Sequence, residues 1–349
     1  MMMSNSNFQA ATIWLMMLLT TSFLPNEYNW MVHGFSSSNF YNKVVESSSS
    51  SSSSFTRSRS KTSLFSSNSN NNNNLSDSQS KGKLLVLGGT GFLGQTICKR
   101  ATLEGYAVTS ISRRGKPSPT EASEATLGSY FRKVDYRQGD ARQFDTIANI
   151  LKEGGYVGVI HCIGLLFDDD SGLGTYNRFV SGSGSIPDGS SSYDDITRLT
   201  AFNAIDATLA YVKESKEGGR LDSSNFPFVF SSAAEAGWPD VSGGQQIEKF
   251  LAPDWLKRYL KAKREVEAKL NEASPPLRPV IVRPSLIYSL DRPASYVPVG
   301  AFFVGNRIGL PFVDRPVTVQ SLANAMVRSI SRTSVRGVQR YKEIDALNQ

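Results

Sequence analysis

The sequence predicts an α/β fold built on a doubly wound parallel sheet with a small C-terminal lobe. Two observations carry that expectation. From Lys83 onward, short apolar runs alternate with segments of helical period, the pattern of parallel strands joined by right-handed helical crossovers. The first of these runs, Lys83–Leu87 (KLLVL), ends on glycines that open directly into a helical segment.

Taken in order, Lys83–Leu87 is a buried strand because it is short, apolar and bounded by glycine. Gly91–Glu104 follows as a helix, stopped near Gly105. Ala107–Ser112 is a second strand and Lys133–Gln138 a third, followed by Gly139-Asp140 and a helix to about Lys152. Val157–Cys162 is a fourth strand. The Gly/Ser/Asp-rich stretch Asp168–Ser192 has no period and is expected as a long loop. Ile196, Leu199, Phe202, Ile205, Leu209 and Val212 then recur at helical spacing. Phe226–Phe230 is a fifth strand, Asp254–Asn271 a charged amphipathic helix, and Val280–Val282 a sixth strand. Beyond these, only Val319–Ser331 stands out, as a helix. The expected organisation is a leader over residues 1–80 and one domain over 81–349, with the small lobe at about 285–349.

The leader differs in composition from the rest. Ala11–Leu24 is an apolar run too short to span a bilayer but of the length of a signal-peptide core, although the residues before it carry no positive charge. Ser36–Ser80 is dominated by Ser and Asn, with Arg57, Arg59 and Lys61. Many hydroxyls and few acids suit an organellar transit peptide; a disordered tail without an address is the alternative. The order of the two parts fits the bipartite leader of a plastid, with a mitochondrial presequence as the rival. The chain carries a net charge of +7, of which all but one unit lies beyond the leader. No basic run is interleaved with aromatics, so nucleic acid is not an expected partner. With only two histidines and two cysteines, none at ligand spacing, no metal site is expected. Cys98 and Cys162 are expected as buried thiols.

Gly88-Gly89-Thr90-Gly91-Phe92-Leu93-Gly94 carries the clearest chemistry. A strand, a glycine turn and a helix in that order form a dinucleotide-binding loop, and so a Rossmann domain. Gly88 permits the turn, Gly91 lets backbone approach a pyrophosphate, and Gly94 lets helix pack on strand. The helix N-terminus supplies N–H groups and a positive dipole end for the anion. Thr90, Phe92 and Leu93 complete the loop. The second strand ends in Ser112-Arg113-Arg114-Gly115, where NAD binders place an acid for the ribose. Two guanidiniums suit a 2′-phosphate instead, so NADP(H) is expected over NAD(H). The alternative is a pair of solvated arginines. Asp140 is placed either to reach the adenine edge or to cap a helix. Ile163-Gly164, just past the fourth strand, is a further cofactor contact; His161 before it is expected to be structural.

Tyr259 and Lys263 lie four apart on one helix face, and Tyr259 is the only tyrosine with lysine at that offset. In that geometry the ammonium lowers the phenol pKa and holds the nicotinamide ribose, while the tyrosine serves as general acid or base. A hydroxyl at the end of the fifth strand, Ser232, is the third expected member. A solvated helix face is the alternative for the pair.

Together Gly88–Gly94, Gly139-Asp140, Ser231-Ser232, Tyr259/Lys263 and Ile281-Val282-Arg283-Pro284 through Ile287-Tyr288 resemble the extended and atypical short-chain dehydrogenase/reductases. Within them the chain looks most like the branch related to the Rossmann-type accessory subunit of respiratory complex I and to the coenzyme Q assembly protein of that type. The segments Arg315–Val319, Gly337-Val338 and Glu343-Ile344 support this. The resemblance implies an organellar NADPH-binding protein, often peripheral to a membrane, with quinone or isoprenoid chemistry nearby. Members of that branch use the nucleotide either catalytically or structurally. Two readings follow. One is an oxidoreductase acting on a hydrophobic carbonyl, alcohol or quinone-ring precursor. The other is a non-catalytic NADPH-binding scaffold for respiratory complex I or ubiquinone biosynthesis.

Overall fold

A computed structural model describes residues 80–117, 128–172, 174, 177, 191–219, 225–289, 296–309 and 313–349. The leader and much of the Asp168–Ser192 loop lie outside the described residues.

Strands β1 (Lys83–Leu87), β2 (Ala107–Ser112), β3 (Val134–Gln138), β4 (Tyr156–His161), β5 (Phe226–Ser231), β6 (Leu277–Val282) and β9 (Gly337–Gln339) form one seven-stranded sheet in the order β3-β2-β1-β4-β5-β6-β9. Every pairing in it is parallel. The chain runs outward from β1 through β2 to β3, then returns to build β4 on the other side of β1. The C-terminal ends of β1 and β4 therefore flank the topological switch point, where ligands bind in such sheets.

Helices cover both faces, and strand alternation explains how. Leu84 and Val86 point to one face, Leu85 and Leu87 to the other, because successive strand side chains alternate. Leu84 and Val86 pack with Ile97, Cys98 and Ala101 of α1 (Phe92–Leu103) and with Leu322, Met326 and Ile330 of α7 (Val319–Ser331). Leu85 and Leu87 pack with α2 (Phe144–Leu151), α3 (Thr200–Glu217) and α5 (Asp254–Glu272) through Ile147, Ala204, Ile205, Val266 and Leu270. These apolar residues are almost entirely removed from water, and that burial supplies the main drive for folding. The periodic run around Ile196–Val212 divides in two: a π-helical turn over Asp194–Leu199 precedes α3.

The C-terminal region holds more structure than its sequence announces. A two-residue parallel pair, β7 (Ile287–Tyr288) with β8 (Val317–Thr318), forms a second sheet. Helix α6 (Tyr296–Arg307) lies in the chain between its two strands, and α8 (Tyr341–Ala346) closes the chain. Helix α6 gives no periodic signal because its text, YVPVGAFFVGNR, is apolar nearly throughout. Strand β9 gives none because it is a three-residue edge strand with a single, partly exposed valine. A short helix, α4 (Gly244–Leu251), also separates β5 from α5. Among the described residues no helix is long and apolar enough to cross a membrane, and no group of three His, Cys, Asp or Glu residues is arranged to hold a metal ion.

Arg278 ties β6 to the end of α7. It is buried, and its guanidinium donates to the carbonyls of Ser329 (3.0 Å), Ile330 (2.9 Å) and Val335. A cation at a helix C-terminus satisfies carbonyls that have no partner within the helix and complements the dipole. Arg278→Met strips those carbonyls of their donors without emptying the volume. The expected outcome is a loss of about 1–3 kcal/mol in urea unfolding.

Candidate cofactor and catalytic site

The glycine loop leaves β1 in a left-handed turn at Gly88 (φ 88°) and enters α1 with Gly91 at the cap position. Its glycines answer different constraints. A Cβ on Gly94 would lie 2.1 Å from the Gly88 carbonyl oxygen. A Cβ on Gly89 would lie 2.3 Å from the Ser110 hydroxyl and 2.8 Å from the Cys98 sulfur. Both glycines are demanded by packing inside the protein. Gly91 is not: a Cβ there meets only the Gly88 carbonyl, at 3.3 Å. Its bareness keeps open a cradle at the start of α1, a helix whose N-terminus has no side-chain cap. That is the arrangement an anionic dinucleotide requires. Thr90 turns its carbonyl to the Gln95 side chain (2.9 Å), Leu93 is buried in the core and Phe92 packs partly against it.

Arg113 and Arg114 occupy the exposed corners of a turn closed by Gly115 N–H donating to the Ser112 carbonyl (3.1 Å). The turn extends β2, one strand from the loop. Asp140, past β3, feels the charge of Arg113 but is held by Arg142, which donates to it from backbone (3.0 Å) and guanidinium (2.6–3.1 Å). That partner keeps its carboxyl below the usual range. It caps no helix: the cap position of α2 is Gln143.

The ends of β4 and β5 meet α5 on the same side of the sheet. Lys263 is buried, and its Nζ donates to the Ser231 carbonyl (2.7 Å). It sits 4.9 Å from the Phe230 ring and 5.5 Å from the Tyr259 ring. A Cβ on Gly164 would lie 3.6 Å from the same nitrogen. Tyr259, Lys263 and Gly164 are thus brought together, and Ile163 beside Gly164 packs against the β1 turn. Burial lowers the Lys263 pKa to about 8 against the opposing pull of Glu267 and Cys162, so the side chain still carries charge at neutral pH. The Tyr259 phenol behaves otherwise than its spacing to Lys263 predicts. Burial first, and then the charge of Glu235, push its pKa up, so Tyr259 stands protonated.

Ser232 does not join that group. Its hydroxyl donates to Glu267, a buried carboxylate of α5 that also accepts from Arg283 (3.0 Å from Nε). Arg283 in turn reaches Asp240 (3.1 Å). The strand-end hydroxyl is spent on a buried ion pair, and Ala233 packs beside Tyr259. Sequence reading missed Glu267 and Arg283 because they belong to different elements, brought together only by the β5–β6–α5 packing. It also missed Glu235, on the turn Ala234–Asp240, whose carboxyl accepts from Ser285 (3.3 Å) and is pushed up to about 7 chiefly by burial.

His161 is fully buried at the end of β4. Its Nε2 meets the Thr200 hydroxyl (3.0 Å), and Nδ1 has no partner among the described residues. Burial, reinforced by Lys263, lowers its pKa to about 3, so it is a neutral structural residue at physiological pH.

Sheet order and glycine loop together define a Rossmann-type parallel α/β fold whose loop suits a dinucleotide. Residues 84–180 match the NAD dependent epimerase/dehydratase family. The chain is also similar to MIOREX complex component 2 of Saccharomyces cerevisiae, at 26% identity over 292 residues covering 75% of this chain and 98% of that protein. Among solved structures it is similar to ElxO with NADP bound (13% identity, TM-score 0.48, 74% of this chain and 96% of the other). It is similar as well to a UDP-glucose 4-epimerase with UDP-glucose from Thermotoga maritima (14%, TM-score 0.46, 74% and 76%). Neither structural likeness adds to what the topology already shows.

The glycines separate fold from binding. Gly94→Ala is expected to lower thermal stability by about 1–3 kcal/mol, because its Cβ meets backbone. Gly91→Ala is expected to keep the fold within roughly 1 kcal/mol yet weaken NADPH binding, read by melting and by NADPH fluorescence titration of the same preparations.

Proposed function

We propose that this protein is an NADP(H)-dependent oxidoreductase that reduces a hydrophobic carbonyl or quinone-related substrate in an organelle. The observation that carries the reading is the convergence of Tyr259, Lys263 and Gly164 at the C-terminal edge of β4 and β5. The loop 88–94 would hold the pyrophosphate, Arg113 and Arg114 the 2′-phosphate, and Asp140, Ile163 and Gly164 the rest of the nucleotide. When bound, the nicotinamide supplies the hydride. Tyr259, held protonated, gives its phenolic proton to the substrate oxygen, and that role favours the reducing direction. Lys263, still charged beneath the ring, offsets the charge left on the phenolate. Ser232 positions the site through Glu267 and touches no substrate. Tyr193 lies edge-on to Tyr259 (5.6 Å between ring centres) and Phe167 edge-on to Trp255 (4.8 Å), and these rings hold the Tyr259 end of α5 in apolar surroundings.

A leader poor in acid, rich in hydroxyls and carrying Arg57, Arg59 and Lys61 supports an organellar address. The resemblance to the complex I and coenzyme Q branch favours the mitochondrion over the plastid, and it supports a peripheral membrane or quinone-synthesis association. Fluorescent fusion of the full chain tests that address.

With NADPH and a quinone or aldehyde panel, Tyr259→Phe is expected to lower turnover about 10²-fold or more with little change in NADPH affinity. Turnover that persisted in this variant would remove the mechanism. Arg113→Ala with Arg114→Ala is expected to weaken NADPH but spare NADH in parallel titrations; equal losses for both would exclude 2′-phosphate recognition.

A second reading has its own support. The strand-end hydroxyl is committed to Glu267, and a relative is named as a component of a complex. Both suit a nucleotide-stabilised assembly factor. If it is correct, Gly91→Asp changes the set of proteins recovered with the full chain from organelle membranes.

A further inference from the structure

Helix α6 is apolar nearly all round, yet only one of its sides is covered. Its text, YVPVGAFFVGNR, carries a single charge, Arg307, in the last turn. A helix of that composition belongs between two partners. On the inner side Val299 is buried, and the half-buried Phe303 ring lies edge-on to Tyr288 of β7 (6.4 Å between ring centres). The outer side is bare. Gly300, Val304, Arg307 and Ile308 recur at helical spacing and all four are exposed, Val304 at 45% and Ile308 at 69%. Ile308 N–H still donates to the Val304 carbonyl (3.0 Å), so it keeps to the helical path and completes one stripe. A Cβ on Gly300 would meet nothing within 4 Å, so no described residue folds back over the stripe there.

Charge indicates what covers it. Residues 292–313 contain two arginines, Arg292 and Arg307, and no acid. Arg307 makes no ion pair among the described residues. With Phe303, Val304, Asn306 and Arg315 it lines an open cleft of about 380 Å³ beside the stripe. Arg315 is anchored there by Asp345 and by the Tyr341 ring (5.9 Å). Guanidiniums match phosphate oxygens in charge and fork geometry, and an arginine stem lies along apolar surface while its head stays at the polar boundary. Two of them beside bare aliphatic side chains fit a phosphate that continues into hydrocarbon. A second copy of the chain fits worse. Two exposed side chains fall far short of the ~800 Å² that each partner of a stable dimer buries, and the stripe holds no acid to pair a buried Arg307.

We infer that the outer stripe of α6 is the surface by which this protein seats on an anionic phospholipid bilayer: Val304 and Ile308 enter the headgroup boundary, and Arg307 and Arg315 hold lipid phosphates. This rests on the peripheral membrane association proposed above, for which it names the surface, and it is independent of the oxidoreductase reading. Binding of such a helix grows with the apolar area buried and with attraction to anionic lipid. The segment carrying α6 leaves the main sheet at the C-terminal end of β6, the edge where Tyr259 and Lys263 lie. The lobe that takes lipid is thus joined to the edge that carries the candidate site.

The test is flotation of the full chain on vesicles of phosphatidylcholine with about a third phosphatidylglycerol, with hydrogen exchange of the peptide over residues 296–309 read in the same samples. Wild type is expected to float, with exchange over α6 slowed by the vesicles and a bound fraction that falls as salt is raised. Val304→Asp with Ile308→Asp is expected to lower vesicle affinity about tenfold or more, and Arg307→Ala about fivefold. Melting temperature stays unchanged in both, because these side chains are exposed. A double variant that floats as well as wild type, with no slowing over α6 in wild type, overturns the seat and leaves membrane association to another part of the chain. A wild type that does not float overturns both. Equal binding to phosphatidylcholine alone overturns the choice of an anionic surface. A dimer in sedimentation velocity that the double variant breaks, with flotation unchanged, gives the stripe to a second copy and overturns the proposal.

Discussion

The site depends on one contact, the approach of α1 to the end of β1. Gly94 stands against the Gly88 carbonyl with no room for a Cβ, and Gly89 stands against Ser110 and Cys98 in the same way. Both contacts pull the helix down onto the strand, so its uncapped N-terminus comes level with the sheet edge. Phosphate affinity at a helix end falls off within the first turn; a helix standing even a side chain further out would aim its dipole past the ligand. The bare surface at Gly91 is useful only because its neighbours fix where that surface lies.

The other half of the cleft is held by buried charge. Glu267 and Arg283 form an ion pair beneath the turn after β5, with the Ser232 hydroxyl completing the acid's partners. A buried pair of this kind adds little net stability, because desolvation offsets most of the attraction, but loss of either partner is costly. Its effect here is positional. It clamps β5, β6 and α5 together one turn away from Lys263, and Lys263 is then left to the Ser231 carbonyl and the Tyr259 ring. The cleft thus separates a hydrogen-bonded ion-pair set (Ser232, Glu267, Arg283) from the stacked pair Tyr259 and Lys263.

Much of this was legible in the sequence where a local rule forces a residue type. Six of the seven main-sheet strands can be placed from the sequence, although β3 (VDYRQ) is mostly polar, and the glycine loop declares its turn, its helix and its ligand class together. Tyr259 and Lys263 could be paired because both lie on one helix, where spacing alone fixes their common face. The rest was hidden for identifiable reasons. Helix α6 has no polar face to give it a period, and β9 is too short to alternate. The fate of the Ser232 hydroxyl depends on an acid 35 positions away, and the state of the Tyr259 phenol on Glu235, 24 positions before it; no local pattern connects either pair. Spacing to Lys263 predicted a lowered phenol pKa, whereas burial and a facing acid raise it.

The sequence by itself determined the fold class, the place of the dinucleotide loop and the helix that carries the tyrosine and lysine, because each follows from contacts within a few residues. Only the tertiary structure decided which hydroxyl is spent and that the phenol is buried and held protonated. Those depend on desolvation and on charges from separate elements, quantities that exist only once β4, β5, β6 and α5 have packed.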